Sequence, residues 1–191
     1  MEKTKLRQKL IRLRKQKEKQ EILYHSQNII KKLMDLSVFQ QAEQILCYVS
    51  YNNEVHTHQL IQKMLKMKNK TVIVPISDTK THTLQISKLQ RFTDLKPGAY
   101  GILEPKKEKQ NLIPLETIDA IIVPGVGFDH KGNRIGQGGS YYDWLLRHSN
   151  ATTIALAFEF QIIPIIPTDA HDQSVDYIIT EKQIINCKQH D

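Results

Sequence analysis

Short runs of aliphatic and β-branched residues alternate along this chain with stretches of helical apolar spacing, and that alternation restricts the fold more than any other feature. The runs Ile45–Ser50 (ILCYVS), Thr71–Ile76 (TVIVPI), Ile118–Val123 (IDAIIV), Thr153–Phe158 and Tyr177–Thr180 are almost continuously apolar, as strands covered on both faces should be. Thr83–Leu89 alternates in character and reads as a further strand. Between these runs, Thr57–Met67 sets Leu60, Ile61, Met64 and Leu65 on one side of a helix, and Tyr141–Arg147 opens another. Strand and helix in turn imply an α/β protein whose mostly parallel sheet lies between helical layers. TVIVPI is expected to stop near Pro75. No Gly or Pro occurs from Lys3 to about Leu36, so one long helix or two consecutive ones are expected there. Arg91–Pro114, with three prolines, two glycines and the charge run Lys106–Lys109, reads as a long surface connection. No repeat or boundary divides the chain, so residues 1–191 are expected to form a single domain.

Charge is concentrated at one end. Residues 1–20 hold nine basic side chains against Glu2 and Glu18, which accounts for the whole net charge of +7. A nucleic-acid arm is one reading of that segment. Leu6, Leu10, Ile11 and Leu13 nevertheless follow helical spacing, so a helix with one docked face and one or two ligand-contacting cations is the other. With 40% apolar and 25% charged residues, disorder is excluded. No run approaches the roughly 18 apolar residues of a membrane helix, and MEKTKLRQKL lacks a signal peptide's apolar core. A cytoplasmic protein that engages no membrane is expected. Cys47 and Cys187 have neither disulfide-framework nor zinc spacing, and Cys47 reads as a buried core thiol.

Ligands of open α/β sheets gather beyond the carboxyl ends of the strands. Pro124–Leu146 (PGVGFDHKGNRIGQGGSYYDWLL) falls there and holds six of the chain's eight glycines. Gly136, Gly138 and Gly139 could take positive φ and let backbone amides approach an anion, with a helix N-terminus behind them. Arg134 adds a fixed cation suited to phosphoryl oxygens. The spacing is neither a P-loop nor a dinucleotide fingerprint, and a tight loop with glycines serving only its turns remains open. Asp143 reads first as an acid in a helix's first turn, favoured by the dipole, with an oxygen ligand for Mg²⁺ near phosphates as the other reading. Asp176, an acid beside an apolar run, calls for a partner, and a cation shared with Asp143 would supply one. Glu54, in YNNEVHT, is either a solvated loop acid or an acceptor for the paired N–H donors of an aminopyrimidine. His56, His58, His82, His130, His148, His171 and His190 read as surface or packing residues. No Ser/His/Asp or Cys/His arrangement can be drawn from the sequence.

The glycine-rich run resembles the signature of the 5-formyltetrahydrofolate cyclo-ligase (methenyltetrahydrofolate synthetase) family, roughly PG-x-x-FD-x-x-G-x-R-x-G-x-G-x-GYYD. KTKLR at 3–7, EVHT at 54–57, PGAYGILEP at 97–105 and LAFEFQ…HDQSVDYIITE at 156–181 agree in order, so the resemblance spans essentially the whole chain. It implies a Rossmann-like three-layer α/β/α sandwich and an ATP- and Mg²⁺-dependent closure of 5-formyltetrahydrofolate to 5,10-methenyltetrahydrofolate. By that resemblance Lys3, Thr4, Lys5, Leu6 and Arg7, with Arg134, Ile135, Gly136, Gln137, Gly138, Gly139, Ser140, Tyr141 and Tyr142, would hold ATP. Arg134 would also be catalytic. Val49, Glu54, Gln137, Gly138, Gly139, Ser140 and Tyr141 would contact the folate, and Asp143 and Asp176 would hold Mg²⁺. ATP and the folate would be the partners, with no nucleic acid, and the protein would act as a monomer. Ser140 stands where the family pattern has glycine; if positive φ is required there, serine costs about 1 kcal/mol. A nucleic-acid module built on the basic helix, and a nucleotide-binding regulator that lost turnover through Ser140, are the competing readings.

Overall fold

In the computed structural model, which describes residues 2–81 and 83–189, the apolar runs pair into one seven-stranded sheet. In chain order the elements are α1 (Lys3–Lys15), α2 (Lys19–Asp35), α3 (Ser37–Gln41), β1 (Gln44–Cys47), α4 (His58–Met64), β2 (Thr71–Asp78), β3 (Thr83–Lys88), β4 (Leu95–Pro97), β5 (Leu103–Pro105), β6 (Ala120–Val123), β7 (Gly127–Phe128), β8 (Arg134–Ile135), α5 (Tyr141–Arg147), β9 (Thr152–Leu156), β10 (Tyr177–Ile179) and β11 (Ile184–Asn186). The sheet runs β11-β10-β9-β6-β1-β2-β3. Its central pairs are parallel, and β3 and β11 close the two edges antiparallel. The mostly parallel α/β reading is thus what the molecule shows; His82 and His190 lie outside the described residues.

Period-two alternation builds both cores. Ile45 and Cys47 turn to the face covered by α2 and α4, where Ile29, Leu33, Leu60 and Met64 are buried against them. Leu46, between them, faces the other way and packs with Ile73, Ile121, Leu145 and Phe128. A third, smaller cluster joins α1 to the β7–β8 hairpin through Leu6, Leu10, Val126, Ile135 and Ile166. Burying each of those leucines contributes about 1.5–3 kcal/mol, so the basic helix is docked by its apolar face as its spacing implied.

Two local expectations change, and a third is decided between its alternatives. Lys3–Leu36 forms two helices, with the chain extended at Glu18. The break is braced from outside, because the Asn53 side-chain amide donates to the carbonyl of Arg14, in the last turn of the first helix, and to that of Lys17 just past it. β2 does not stop at Pro75 but continues to Asp78. Its pairing with β1 ends at Ile73, and the Ser77 N–H, two residues beyond Pro75 on the same edge, reaches the Glu104 side chain rather than a strand. Pro75 therefore removes a donor no ladder needs. Arg91–Pro114 is not a plain connection, since β4 and β5 pair within it as a hairpin.

Candidate active site

The carboxyl ends of the parallel strands bring three loops and one helix together. Residues 51–54 follow β1 and its extension, with Asn52 and Asn53 left-handed (φ 47° and 57°). That conformation suits short amide side chains and carries Glu54 back toward the strands. The Glu54 side chain is 12% exposed. Its Oε2 accepts the Tyr51 N–H at 3.0 Å, and its Oε1 accepts the Gln137 side-chain amide at 3.2 Å. Burial raises its pKa, and Arg14, the Tyr51 N–H and Gln137 pull it back down. Glu54 is therefore no solvated loop acid: the structure joins the first loop to the glycine-rich one through it.

Arg134 opens the glycine-rich loop, buried, with Nη2 2.6 Å from Asp143 Oδ1 in α5. Its Nε is buried with no hydrogen-bond partner among the described residues, as is the Tyr142 hydroxyl. Tyr142 lies with its ring centroid 6.0 Å from the Arg134 guanidinium. Gln137, Gly138, Gly139 and Ser140 are all exposed, so the loop's rim is open. Only one of its three glycines has the positive φ expected: Gly138, at 109°. Gly136 and Gly139 instead leave room for neighbouring side chains. A Cβ would come within 2.9 Å of the Arg134 guanidinium at the first and 2.7 Å of the Tyr141 ring at the second. Ser140 is left-handed, φ 54° and ψ 12°, so serine does occupy a position that favours glycine.

The basic helix meets this loop directly, Arg7 Nε donating to the Gly136 carbonyl at 2.8 Å. Lys3 pairs with Asp172 and, at 3.6 Å, with Asp169. Thr4 and Lys5 are exposed. Leu6 and Ile135, both expected at ATP, turn their side chains into the small core beneath, as Val49 does into the main one. Tyr141 and Tyr100, the latter left-handed at the tip between β4 and β5, bring their hydroxyls to 3.4 Å. That contact is the leading cause raising the Tyr141 pKa to about 12.

Asp143 and Asp176 have separate partners. Asp176, just before β10, accepts the Thr153 N–H at 2.8 Å and pairs with Lys188 at 3.2 Å, whereas Asp143 is held by Arg134. The one group of three potential metal ligands among the described residues is Asp169, His171 and Asp172, already tied to Lys3. The donor set suits a polyanion well, with Arg7, Arg134 and an open glycine rim converging. For a cation it offers Asp143, held by Arg134, and Glu54, held by Gln137.

Sequence reasoning missed Arg14, buried at the end of α1 with Nη1 3.9 Å from Glu54 Oε1. The signal was present: Leu6, Leu10 and Arg14 fall four residues apart on one helix stripe, and a cation on an apolar stripe needs a buried anion. Cys47 is buried, and burial drives its thiol pKa far above the ordinary range. His56 and His58 pack ring to ring at 4.4 Å, with pKa values lowered chiefly by burial.

Residues 1–181 match the model of the 5-formyltetrahydrofolate cyclo-ligase family. The 5-formyltetrahydrofolate cyclo-ligase of Haemophilus influenzae is 34% identical over 88% of this chain and 88% of its own. That of Mus musculus is 31% identical over 85% of each. Among solved structures, the 5,10-methenyltetrahydrofolate synthetase of Aquifex aeolicus superposes with a TM-score of 0.86 at 31% identity, covering 98% of this chain and 94% of that one. A synthetase from Mycoplasma pneumoniae shares the fold at a TM-score of 0.77 and 23% identity, over 95% and 99% of the two chains.

Proposed function

Because the chain belongs to the 5-formyltetrahydrofolate cyclo-ligase family, we propose that the cleft between α1, Glu54 and the glycine-rich loop uses ATP to close 5-formyltetrahydrofolate into 5,10-methenyltetrahydrofolate. The observation that carries this reading is the convergence of Arg134, whose Nε is buried without a partner among the described residues, and Arg7 on an open glycine rim. Such a site brings two guanidinium groups to an anion.

The chemistry needs little more. A formamide carbonyl is a poor electrophile because nitrogen resonance feeds it. Its oxygen attacks the γ-phosphorus, the bond to the bridging oxygen breaks, and ADP leaves. The folate's N10 then attacks the activated formyl carbon and loses its proton. Phosphate departs carrying the former formyl oxygen, which leaves the methenyl bridge. Alignment and charge compensation dominate the catalysis of phosphoryl transfer, so guanidinium groups and backbone amides suffice. Arg134 compensates charge on the transferring group, Gly136 to Ser140 cradle the triphosphate, and Arg7 ties the helix over it. Lys3, at the other end of the helix's first turn, must leave Asp172 to reach phosphate. Mg²⁺ would neutralise phosphate charge, with Asp143, paired to Arg134, a carboxylate that would hold it. Asp176 could join it only by giving up Lys188.

On the folate side, Glu54 offers two carboxylate oxygens to an aminopyrimidine edge, with Val49 beneath and Tyr141 at the rim. The test is turnover followed by the near-ultraviolet absorbance of the methenyl product. Signal that needs both ATP and 5-formyltetrahydrofolate supports the reading, and a fully folded protein giving none overturns it. A salt-dependent shift of duplex DNA without turnover would instead favour the nucleic-acid reading of the basic helix.

A further inference from the structure

Two arginines are buried among the described residues. One, Arg134, belongs to the glycine-rich loop; the other, Arg14, has no part in the reading above. Its Nε and Nη1 are sealed from solvent without a hydrogen-bond partner among the described residues. Nη1 stands 3.9 Å from Glu54 Oε1, inside ion-pair range but beyond a hydrogen bond. A desolvated guanidinium left this poorly satisfied is costly unless a charge answers it, and Glu54 is the charge that does. The spacing is also fixed independently, because Asn53, the residue before Glu54, donates to the Arg14 carbonyl at 3.2 Å.

We propose that Arg14 is a positioning residue for the folate half of the reaction: acting through charge at 3.9 Å, it holds the Glu54 carboxylate in place so that both oxygens meet the substrate's aminopyrimidine edge. The proposal rests on the reading of Glu54 given above. Besides Arg14, the groups facing Glu54 are Tyr48 beyond β1, Tyr142 in α5, Gln137 in the glycine-rich loop and, from its own loop, the Tyr51 N–H. Burial pushes both phenols up, so they stay neutral at neutral pH. Burial also raises the Glu54 carboxyl, and Arg14 is the first of the groups that lower it. Removing the guanidinium therefore lets Glu54 take up a proton at a higher pH, and a protonated carboxyl no longer offers two acceptors to paired N–H donors.

The experiment compares full-length Arg14→Met, Arg14→Lys and Glu54→Gln by steady-state kinetics between about pH 6 and 8.5. Arg14→Met should raise the KM for 5-formyltetrahydrofolate about tenfold, leave the KM for ATP within about twofold, and move the acidic limb of kcat/KM for the folate upward by about one pH unit. Arg14→Lys, which restores a charge, should return most of the limb. In a Glu54→Gln background, Arg14→Met should add little, because no carboxylate remains to hold. If Arg14→Met does not fold, Arg14→Gln carries the same readouts. A folded variant with unchanged folate KM and limb, or with ATP and folate weakened equally, overturns the proposal. A normal folate KM in Glu54→Gln alone would instead overturn the reading of Glu54.

Discussion

Replacing Arg134 by methionine separates what the residue does for the fold from what it does for the reaction. The guanidinium and Asp143 form a 2.6 Å pair with side chains 4% and 18% exposed. Breaking a fully buried pair costs about 3–5 kcal/mol, and the partial exposure of Asp143 brings that to about 2 kcal/mol. In a chain of this length each kcal/mol moves Tm by about 2–4 °C, so Arg134→Met should melt roughly 4–8 °C lower. The rate should fall much further. Loss of one donor aimed at the transferring phosphoryl costs about 10²-fold or more in kcat/KM, near 3 kcal/mol of transition-state stabilisation. The double variant Arg134→Met, Asp143→Leu removes the stranded carboxylate as well and should recover most of the Tm with none of the rate. Circular dichroism melts and the methenyl absorbance assay measure the two effects separately. An Arg134→Met enzyme turning over within a few-fold of its parent, or a double variant regaining rate along with stability, would refute the reasoning.

Ser140→Gly should stabilise the protein by about 0.5–1 kcal/mol in denaturant titrations, because serine at φ 54° carries left-handed strain while glycine gives part of the gain back to the unfolded chain. Lower stability would mean that the Ser140 hydroxyl has a compensating partner. Glu54→Gln should weaken folate binding and, by leaving the buried Arg14 guanidinium without the charge that answers it, lower Tm at pH 7. A Tm at or above the parent's would show that the burial which raises the Glu54 pKa outweighs the pair. Deleting residues 1–8 removes Lys3, Arg7 and the Leu6 anchor while Leu10 and both main cores remain. Calorimetry should show weaker nucleotide binding by a folded protein, and unchanged affinity would detach the basic helix from ATP.

The parallel sheet was legible because a strand buried on both faces has to be apolar at nearly every position, and ILCYVS and IDAIIV are. The hairpin between β4 and β5 was not, since three-residue strands carry too few side chains to show a period. β11, at Ile184–Asn186, was hidden for the same reason. Pro75 misled because proline's penalty depends on whether a neighbouring strand needs its donor, which is a tertiary fact. At the site, Arg134, Glu54 and the glycine-rich loop could be found by residue type and position after a strand. Which glycines serve conformation could not, since Gly136 and Gly139 answer to the Arg134 and Tyr141 side chains, whose paths only the fold sets. Arg14 was legible in principle, as a cation in phase with Leu6 and Leu10, but the acid that answers it lies 40 residues away.

Oxygen tracing tests the proposed chemistry most directly. With 5-formyltetrahydrofolate carrying ¹⁸O in its formyl group, the phosphate released alongside the methenyl product should contain one labelled oxygen, visible as an isotope shift in its phosphorus resonance. Unlabelled phosphate, with the heavy oxygen recovered in water, would show that the γ-phosphoryl group never reaches the formyl oxygen and that this cleft does not align them.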